Sequence, residues 1–211
     1  MSDRAEIRWA EDGSTAAVAD HVARVVEGTD TPVIAVPGGS TPIAIFDELA
    51  ARGLDWAGAT LMLGDDRIVD KDHPASNQVK LEAAFADSAA NIATLEEGAE
   101  VPALDLLWVG MGGDGHIASL FPDRPELAEV DRPTVPVTDS PKPPPERVSL
   151  TYPTLARSRA TWLLVSGEPK AEAVARALSP AGTTVEETPA SGVSGREETV
   201  WFLDRDAASR L

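Results

Sequence analysis

Short apolar runs alternate with helix-like patterns along almost the whole chain, and no other feature constrains the fold as much. The runs with the length of strands are Ile7–Trp9, Val33–Val36, Thr60–Leu63, Leu104–Val109, Val148–Thr151, Thr161–Val165 and Val200–Leu203. Apolar residues recur at helical spacing over residues 14–26, Pro42–Ala51, Asn77–Phe85, Pro169–Leu178 and Asp204–Leu211. Such alternation is typical of βα units. It predicts an α/β fold with an open, largely parallel sheet and helices on both faces.

One proline-rich segment interrupts this rhythm. Prolines stand at positions 133, 136, 141, 143, 144 and 145. Neither a helix nor a central strand accommodates them, because proline lacks an amide proton and fixes its own φ. We expect an extended surface loop that fixes where Arg147 emerges, rather than a PxxP ligand for a partner domain.

Composition limits the classes of function. The chain has 211 residues, 43% hydrophobic and 25% charged, which suits a single domain over residues 1–211. It has no cysteine, which excludes disulfides, thiolate metal sites and a cysteine nucleophile. A net charge of −17 opposes nucleic acid and anionic membranes, so we expect neither as a partner. The first residues lack a signal-peptide pattern, and no run approaches the roughly 20 apolar residues of a membrane span, so we expect a cytoplasmic protein.

Polar motifs follow the predicted strands where ligands bind in such folds, beyond the carboxyl ends of the sheet. The turn Gly38-Gly39-Ser40-Thr41-Pro42 joins a strand to a helix. Its exposed amides and the helix dipole would suit a phosphate. An ordinary βα turn capped by Ser40 or Thr41 explains the same residues equally well.

The run from Gly110 to His116 is the strongest local signal, since it places Asp114 and His116 in a glycine-dense loop after a buried strand. His116 is a side chain that can take a proton from water near neutral pH. His21 and His73 are interpreted as structural. We expect no metal, because neither an HExxH motif nor a Cys/His cluster is present.

Other charged residues are ambiguous on their own. The run Asp65-Asp66-Arg67 fits either acid–base catalysis or a solvated turn with an internal ion pair. Arg147 and Lys170 would suit phosphate or carboxylate recognition, but neither residue alone indicates such a site.

In chain order, several of these motifs resemble the 6-phosphogluconolactonase family. They are Gly38–Pro42, Asp65-Asp66-Arg67 with Ser76-Asn77, Gly110–Pro122, Arg147–Thr151, Gly167–Ala171, Pro189–Ser191 and Trp201–Asp204. The run Gly110–Pro122 is the most specific, and the resemblance covers nearly the full chain. Two positions depart from the family pattern: Asp66 stands where Glu is usual, and Ile117 where Thr is usual.

The resemblance implies hydrolysis of 6-phosphogluconolactone without a cofactor. In this reading His116 is the general base and Asp114 orients it, while Gly112, Gly113 or a nearby arginine stabilises the oxyanion. The remaining implied substrate contacts are Gly38, Gly39, Ser40, Thr41, Asp65, Arg67, Arg147 and Lys170. The partner would be a small sugar phosphate, and the protein a monomer or small homo-oligomer.

Two other functions fit the same fold. Glucosamine-6-phosphate deaminases share Asp114–Ala118 but continue with a catalytic glutamate, where this chain has Phe121. A non-catalytic sugar-phosphate sensor would carry a DNA-binding module, for which the sequence before the strand at Ile7 leaves no room.

Overall fold

The computed structural model of the chain describes residues 6–9, 14–39, 41–71 and 73–211. Its strands are β1 (Glu6–Trp9), β2 (Val33–Val36), β3 (Thr60–Leu63), β4 (Asp65–Arg67), β5 (Asn91–Ala93), β6 (Leu106–Gly110), β7 (Thr134–Val137), β8 (Arg147–Leu150), β9 (Ala160–Val165) and β10 (Glu198–Leu203). Its helices are α1 (Ser14–Glu27), α2 (Thr41–Ala51), α3 (Asn77–Ala84), α4 (Tyr152–Leu155) and α5 (Ala171–Ala177). Short 3-10 turns cover Pro125–Ala128, Glu168–Lys170 and Pro189–Gly192.

A seven-stranded sheet in the order β1-β10-β9-β6-β2-β3-β5 forms the centre, and every paired strand in it is parallel. Two buried clusters cover its faces. One contains side chains of α1, α2 and α3, and the other contains α5 and the C-terminal residues Ala207 and Ala208. The predicted α/β fold is therefore confirmed. A strand buried on both faces needs apolar residues throughout, and β6 has them.

A second, three-stranded antiparallel sheet, with the order β4-β8-β7, was not anticipated. The predicted strand 148–151 belongs to it rather than to the parallel sheet. The prediction of a loop throughout 133–145 is wrong for β7, in which Pro136 pairs with Val148. Proline is tolerated there because β7 lies at the sheet edge. The polar strand β4 carries no hydrophobic alternation that could have revealed it.

The predicted C-terminal helix over Asp204–Leu211 is also wrong, since residues 205–210 form consecutive turns. The Asp204 carboxylate accepts the amides of Gly167, at 2.9 Å, and Ala207, at 2.7 Å. It thereby fastens this segment to the turn after β9. The expected docking of the C-terminus is confirmed, because Ala207 and Ala208 are buried.

Candidate active site

A cleft of about 380 Å³ opens at the carboxyl ends of the parallel strands. Its lining includes these predicted site residues: Gly38, Asp65, Arg67, Gly112, His116, Arg147 and Lys170. Lys142 and Asn77, which were not predicted as site residues, also line it. The cleft brings together residues that follow four different strands.

The other predicted site residues are not among those that line this cleft. Gly39 lines an adjoining cavity of about 330 Å³ that shares Gly38 and Lys170 with the cleft. A Cβ on Gly113 would lie 3.0 Å from the Pro169 carbonyl oxygen, so this position has little room for a side chain. Thr41 is the first residue of α2. Ser40 lies outside the described residues.

The cleft is cationic although the chain is strongly acidic. Arg67, Lys142, Arg147 and Lys170 line it, and Asp65 is the carboxylate among its described lining residues. Because charges at short range are less screened than those separated by more than about 8 Å, the cleft favours an anionic ligand despite the net charge.

His116 is oriented by a carboxylate. Its Nδ1 lies 2.5 Å from Asp114 Oδ1, and its backbone amide donates to the same oxygen at 3.2 Å. Burial alone would raise the pKa of Asp114, but its hydrogen bond with His116 and the positive charge that the imidazole carries when protonated hold the pKa well below its usual range. An ionised Asp114 accepts the Nδ1 proton, which leaves the Nε2 lone pair of neutral His116 able to accept another. This geometry suits a general base.

The loop backbone leaves no space beneath the imidazole. The Gly112 amide donates to the His116 carbonyl at 2.9 Å, and the Gly115 amide donates to the Gly112 carbonyl at 3.0 Å. A Cβ on Gly112 would overlap the His116 ring and Asp114. Gly115 has φ +94°, a conformation that other residues rarely adopt. The glycines thus shape the loop around His116, and the Gly112 amide is already engaged.

Phe121 packs on the other side of the imidazole. The two ring centroids are 4.5 Å apart at an interplanar angle of 37°, and Arg147 Cζ lies 6.0 Å from the Phe121 centroid. Phe121 is buried and so forms an apolar wall between His116 and Arg147.

A buried polar network forms the floor of the cleft. Ser119 Oγ donates to Asp65 Oδ2 at 2.6 Å, and Arg147 Nη1 donates to Ser119 Oγ at 3.3 Å and lies 3.8 Å from Asp65 Oδ2. Burial raises the pKa of Asp65, against the opposing effects of Ser119 and Arg147. Ser119 lies within the run Gly110–Pro122 but was not predicted as a site residue, because its contact with a carboxylate distant in the sequence appears only in the fold.

The proline-rich segment holds Arg147, as expected. Arg147 Nε donates to the Pro144 carbonyl at 3.0 Å and Nη2 donates to the Lys142 carbonyl at 2.8 Å. Burial lowers the pKa of Arg147, although an arginine stays charged in proteins. Because these contacts occupy most of the guanidinium N–H donors, Arg147 acts on the cleft mainly through its positive charge.

Lys170 is more available than Arg147 to bind a ligand. Its Nζ donates to the Met111 carbonyl at 2.8 Å. Burial, followed by the nearby charge of Lys142, lowers its pKa. An ammonium group with a single described acceptor keeps donors for a ligand.

Asp66 does not line the cleft. Its carboxylate accepts the amides of Asn77, at 2.9 Å, and Gln78, at 3.0 Å, which are the first two residues of α3. A carboxylate is favoured at a helix N-terminus because it satisfies free amides and faces the positive end of the helix dipole. The shortened side chain at this position is therefore compatible with a structural role.

Fold and site together define an α/β protein with a His–Asp pair in a cationic cleft at the carboxyl ends of parallel strands, an arrangement suited to small anionic substrates. The family model of glucosamine-6-phosphate isomerases and 6-phosphogluconolactonases matches residues 10–100 and 79–201. The chain belongs to this family, and the resemblance seen in the sequence is confirmed.

Similar proteins agree with this assignment. A 6-phosphogluconolactonase of Mycobacterium tuberculosis is 39% identical, over 85% of each chain. The crystal structure of a Thermotoga maritima 6-phosphogluconolactonase is 25% identical, covers 95% of this chain and 100% of its own, and has a TM-score of 0.80. A monomeric glucosamine-6-phosphate deaminase has a TM-score of 0.81 at 20% identity, covering 98% of this chain and 100% of its own. The similarity to the deaminase shows a shared fold and no more.

Proposed function

We propose that this protein hydrolyses the ester of 6-phosphogluconolactone to give 6-phosphogluconate. The observation that carries the proposal is the His116–Asp114 pair beside a cationic cleft, in a chain 39% identical to a 6-phosphogluconolactonase. The reaction class is that of a carboxylic ester hydrolase, in the oxidative part of the pentose phosphate pathway.

His116 begins the reaction as general base. Its Nε2 takes a proton from a water molecule while the water oxygen attacks the lactone carbonyl. Asp114 keeps Nδ1 protonated and stabilises the imidazolium that forms. The tetrahedral intermediate then collapses, the carbonyl carbon–ring oxygen bond breaks, and the imidazolium returns its proton to the ring oxygen. The product carries a carboxylic acid, which ionises, and a free hydroxyl group.

Arg67 is the better donor for the developing oxyanion. The Gly112 amide is occupied by the His116 carbonyl, and Gly113 is not among the lining residues. Arg67 lines the cleft, and an arginine placed toward a developing negative charge stabilises the transition state more than the ground state.

The phosphate end of the substrate is assigned to the turn before α2. The turn at Gly38 and Gly39 leads into the N-terminus of this eleven-residue helix, where the dipole favours an anion, and Lys170 lines both the cleft and the cavity next to the turn. The Gly39 amide itself donates to Asn77 Oδ1. Arg147 and Lys142 add positive charge. Anchoring the phosphate there would hold the carbonyl beside His116.

A direct assay tests the reaction. The protein is mixed with fresh 6-phosphogluconolactone and, separately, with glucosamine 6-phosphate, and acid and ammonia are measured. We expect acid from the lactone above its spontaneous hydrolysis and no ammonia from the amino sugar. Ammonia release would favour the deaminase, and binding of either compound without turnover would favour a sensor.

A matched pair of variants tests the phosphate contact. Lys170→Ala should weaken binding of 6-phosphogluconate by roughly tenfold or more and leave the weaker binding of unphosphorylated gluconate nearly unchanged, because a charge-assisted contact is lost. Lys71→Ala removes an exposed lysine outside the cleft and should alter neither. Equal effects of Lys170→Ala on both ligands would remove Lys170 from the phosphate site.

No helix in the described parts of the chain is long and apolar enough to cross a membrane. The cytoplasmic location, the single domain and the monomer or small homo-oligomer remain predictions.

A further inference from the structure

Asn77, the first residue of α3, lies between two parts of the site that come from different strands. Its side-chain oxygen Oδ1 accepts the backbone amide of Gly39 at 3.1 Å. The same oxygen lies 3.5 Å from Arg67 Nη1, which also donates to the Ala75 carbonyl at 2.7 Å. Asn77 is 4% exposed, so these contacts are shielded from water.

The Asn77 side chain also fills the space beside Gly38. A Cβ built on Gly38 would overlap Asn77 Nδ2 and Cγ. The φ of Gly38 lies outside the left-handed region, so its backbone would tolerate alanine. The glycine is therefore required here by the close approach of Asn77 rather than by conformation.

Asp66 fixes Asn77 in turn. Its carboxylate accepts the amides of Arg67, at 2.8 Å, and of Asn77 and Gln78. The start of α3 is thus fastened to β4, and the Asn77 side chain has little freedom to move relative to Arg67.

We propose that Asn77 is a positioning residue that sets the distance between the Gly38–Gly39 turn and Arg67. The proposal rests on the function proposed above, in which the turn holds the phosphate and Arg67 faces the reacting ester. A substrate bound at both ends needs these groups at a fixed separation, because a displacement of about 1 Å can cost roughly 10²-fold in rate.

Asn77→Ala, compared with Ser76→Ala, tests this role. Ser76 Oγ accepts the Val79 amide at 3.3 Å as the N-cap of α3, but Ser76 does not line the cleft. Both variants should lower the melting temperature, since both remove a buried polar contact at the start of the helix. A purely structural effect would therefore appear in both.

The positioning role predicts a difference between the two. Asn77→Ala should raise the Kd for 6-phosphogluconate and the KM for 6-phosphogluconolactone by roughly tenfold, and it should also lower kcat by roughly tenfold or more because Arg67 is displaced from the reacting ester, with an unchanged pH profile. Ser76→Ala should leave KM and Kd within about twofold of wild type. Gluconate, which lacks the phosphate, should have the same Kd for both variants.

A double-mutant cycle isolates the contact itself. Gly38→Ala should weaken 6-phosphogluconate binding strongly in the wild-type background, where the new methyl group meets Asn77. In the Asn77→Ala background the same substitution should cost much less, because the two severe overlaps, with Nδ2 and Cγ, are removed and only the tight 3.0 Å contact with the Cβ of residue 77 remains.

Two results would overturn the inference: an unchanged KM and Kd in Asn77→Ala, or additive costs in the cycle. Because the Kd for 6-phosphogluconate is measured without turnover, it tests the role of Asn77 independently of the reaction. A wild-type protein that fails to hydrolyse the lactone would contradict the proposed reaction, whereas an active wild type with an unaffected Asn77→Ala variant would contradict the inference alone.

Discussion

His116 depends on three neighbours for its place in the site. Asp114 holds Nδ1, Gly112 leaves room for the ring, and Phe121 packs against its face. Phe121 thus adds an apolar surface to the site and no second carboxylate beside the imidazole.

Replacing His116 by Asn tests the base directly. We expect the rate of enzymatic lactone hydrolysis to fall by roughly 10²–10⁴, the usual contribution of a positioned base. Binding of 6-phosphogluconate should change little. Both rates are compared after subtraction of the spontaneous hydrolysis of the lactone. A variant with normal turnover per folded molecule and a lower melting temperature would show a structural histidine.

Asp65 is a buried carboxylate whose ionised form the fold disfavours. Its pKa is raised from the ordinary value of 3.8, chiefly by burial. A carboxyl group with a raised folded pKa contributes stability below its unfolded pKa, and this contribution is lost as pH rises through the folded pKa. Burial of Asp65 on the floor of the cleft therefore costs the folded protein stability as pH rises.

Asp65→Asn should accordingly be more stable than wild type at about pH 7 and lose that advantage below about pH 4, where Asp65 is protonated. Its KM for the lactone should rise, since a group lining the cleft is changed. Melting temperatures measured across this pH range provide the check. A variant less stable than wild type at neutral pH would show that the contacts of Asp65 with Ser119 and Arg147 outweigh its burial.

Among the elements, the loop after β6 shows how backbone shape controls a side chain. Its turn is closed by hydrogen bonds between Gly112, Gly115 and His116, and Ala190 donates its amide to the Gly115 carbonyl at 3.0 Å. The loop is thus held from both sides. Its glycines leave room for the imidazole and adopt backbone conformations that other residues rarely adopt. They are therefore needed even where their backbone amides do not face the ligand.

Gly112→Ala should lower kcat by roughly 10²-fold or more, because the added methyl group displaces the imidazole and Asp114. Gly110→Ala is the comparison variant. Its Cβ would lie 3.9 Å from the Leu164 carbonyl, an ordinary contact, and its effect on kcat should be much smaller. Similar losses in both variants would indicate that this segment is generally intolerant of side chains, independent of His116.

At the scale of the whole molecule, charge is distributed unevenly. The chain carries a net charge of −17, yet lysines and arginines from distant segments converge on one cleft. The cleft thus keeps a local preference for an anion within a strongly acidic molecule.

Activity of the whole enzyme should not depend on a metal ion. The lactone is an activated ester, and a positioned base with cationic donors suffices for its hydrolysis. Among the described residues, no group of three or more His, Cys, Asp or Glu side chains is placed to hold a metal. Assays with and without EDTA provide the measurement, and a loss of turnover that one divalent ion restores would contradict the general-base mechanism.

The sequence by itself determined the parallel sheet and the motifs around the cleft. Strands buried on both faces must be continuously apolar, so β2, β3, β6 and β9 could be recognised from the sequence. The carboxyl ends of parallel strands share one edge of the sheet, so the motifs that follow these strands could be placed together. Family resemblance then supplied the roles suggested for His116 and Asp114.

Tertiary structure alone decided the rest. The small antiparallel sheet was invisible because β4 is polar and β7 contains a proline, and their pairing depends on strand β8 between them. Asn77 and Ser119 looked like an ordinary helix start and a loop serine. Each contacts a residue distant in the chain, Gly39 for Asn77 and Asp65 for Ser119, and local sequence patterns carry no information about such contacts.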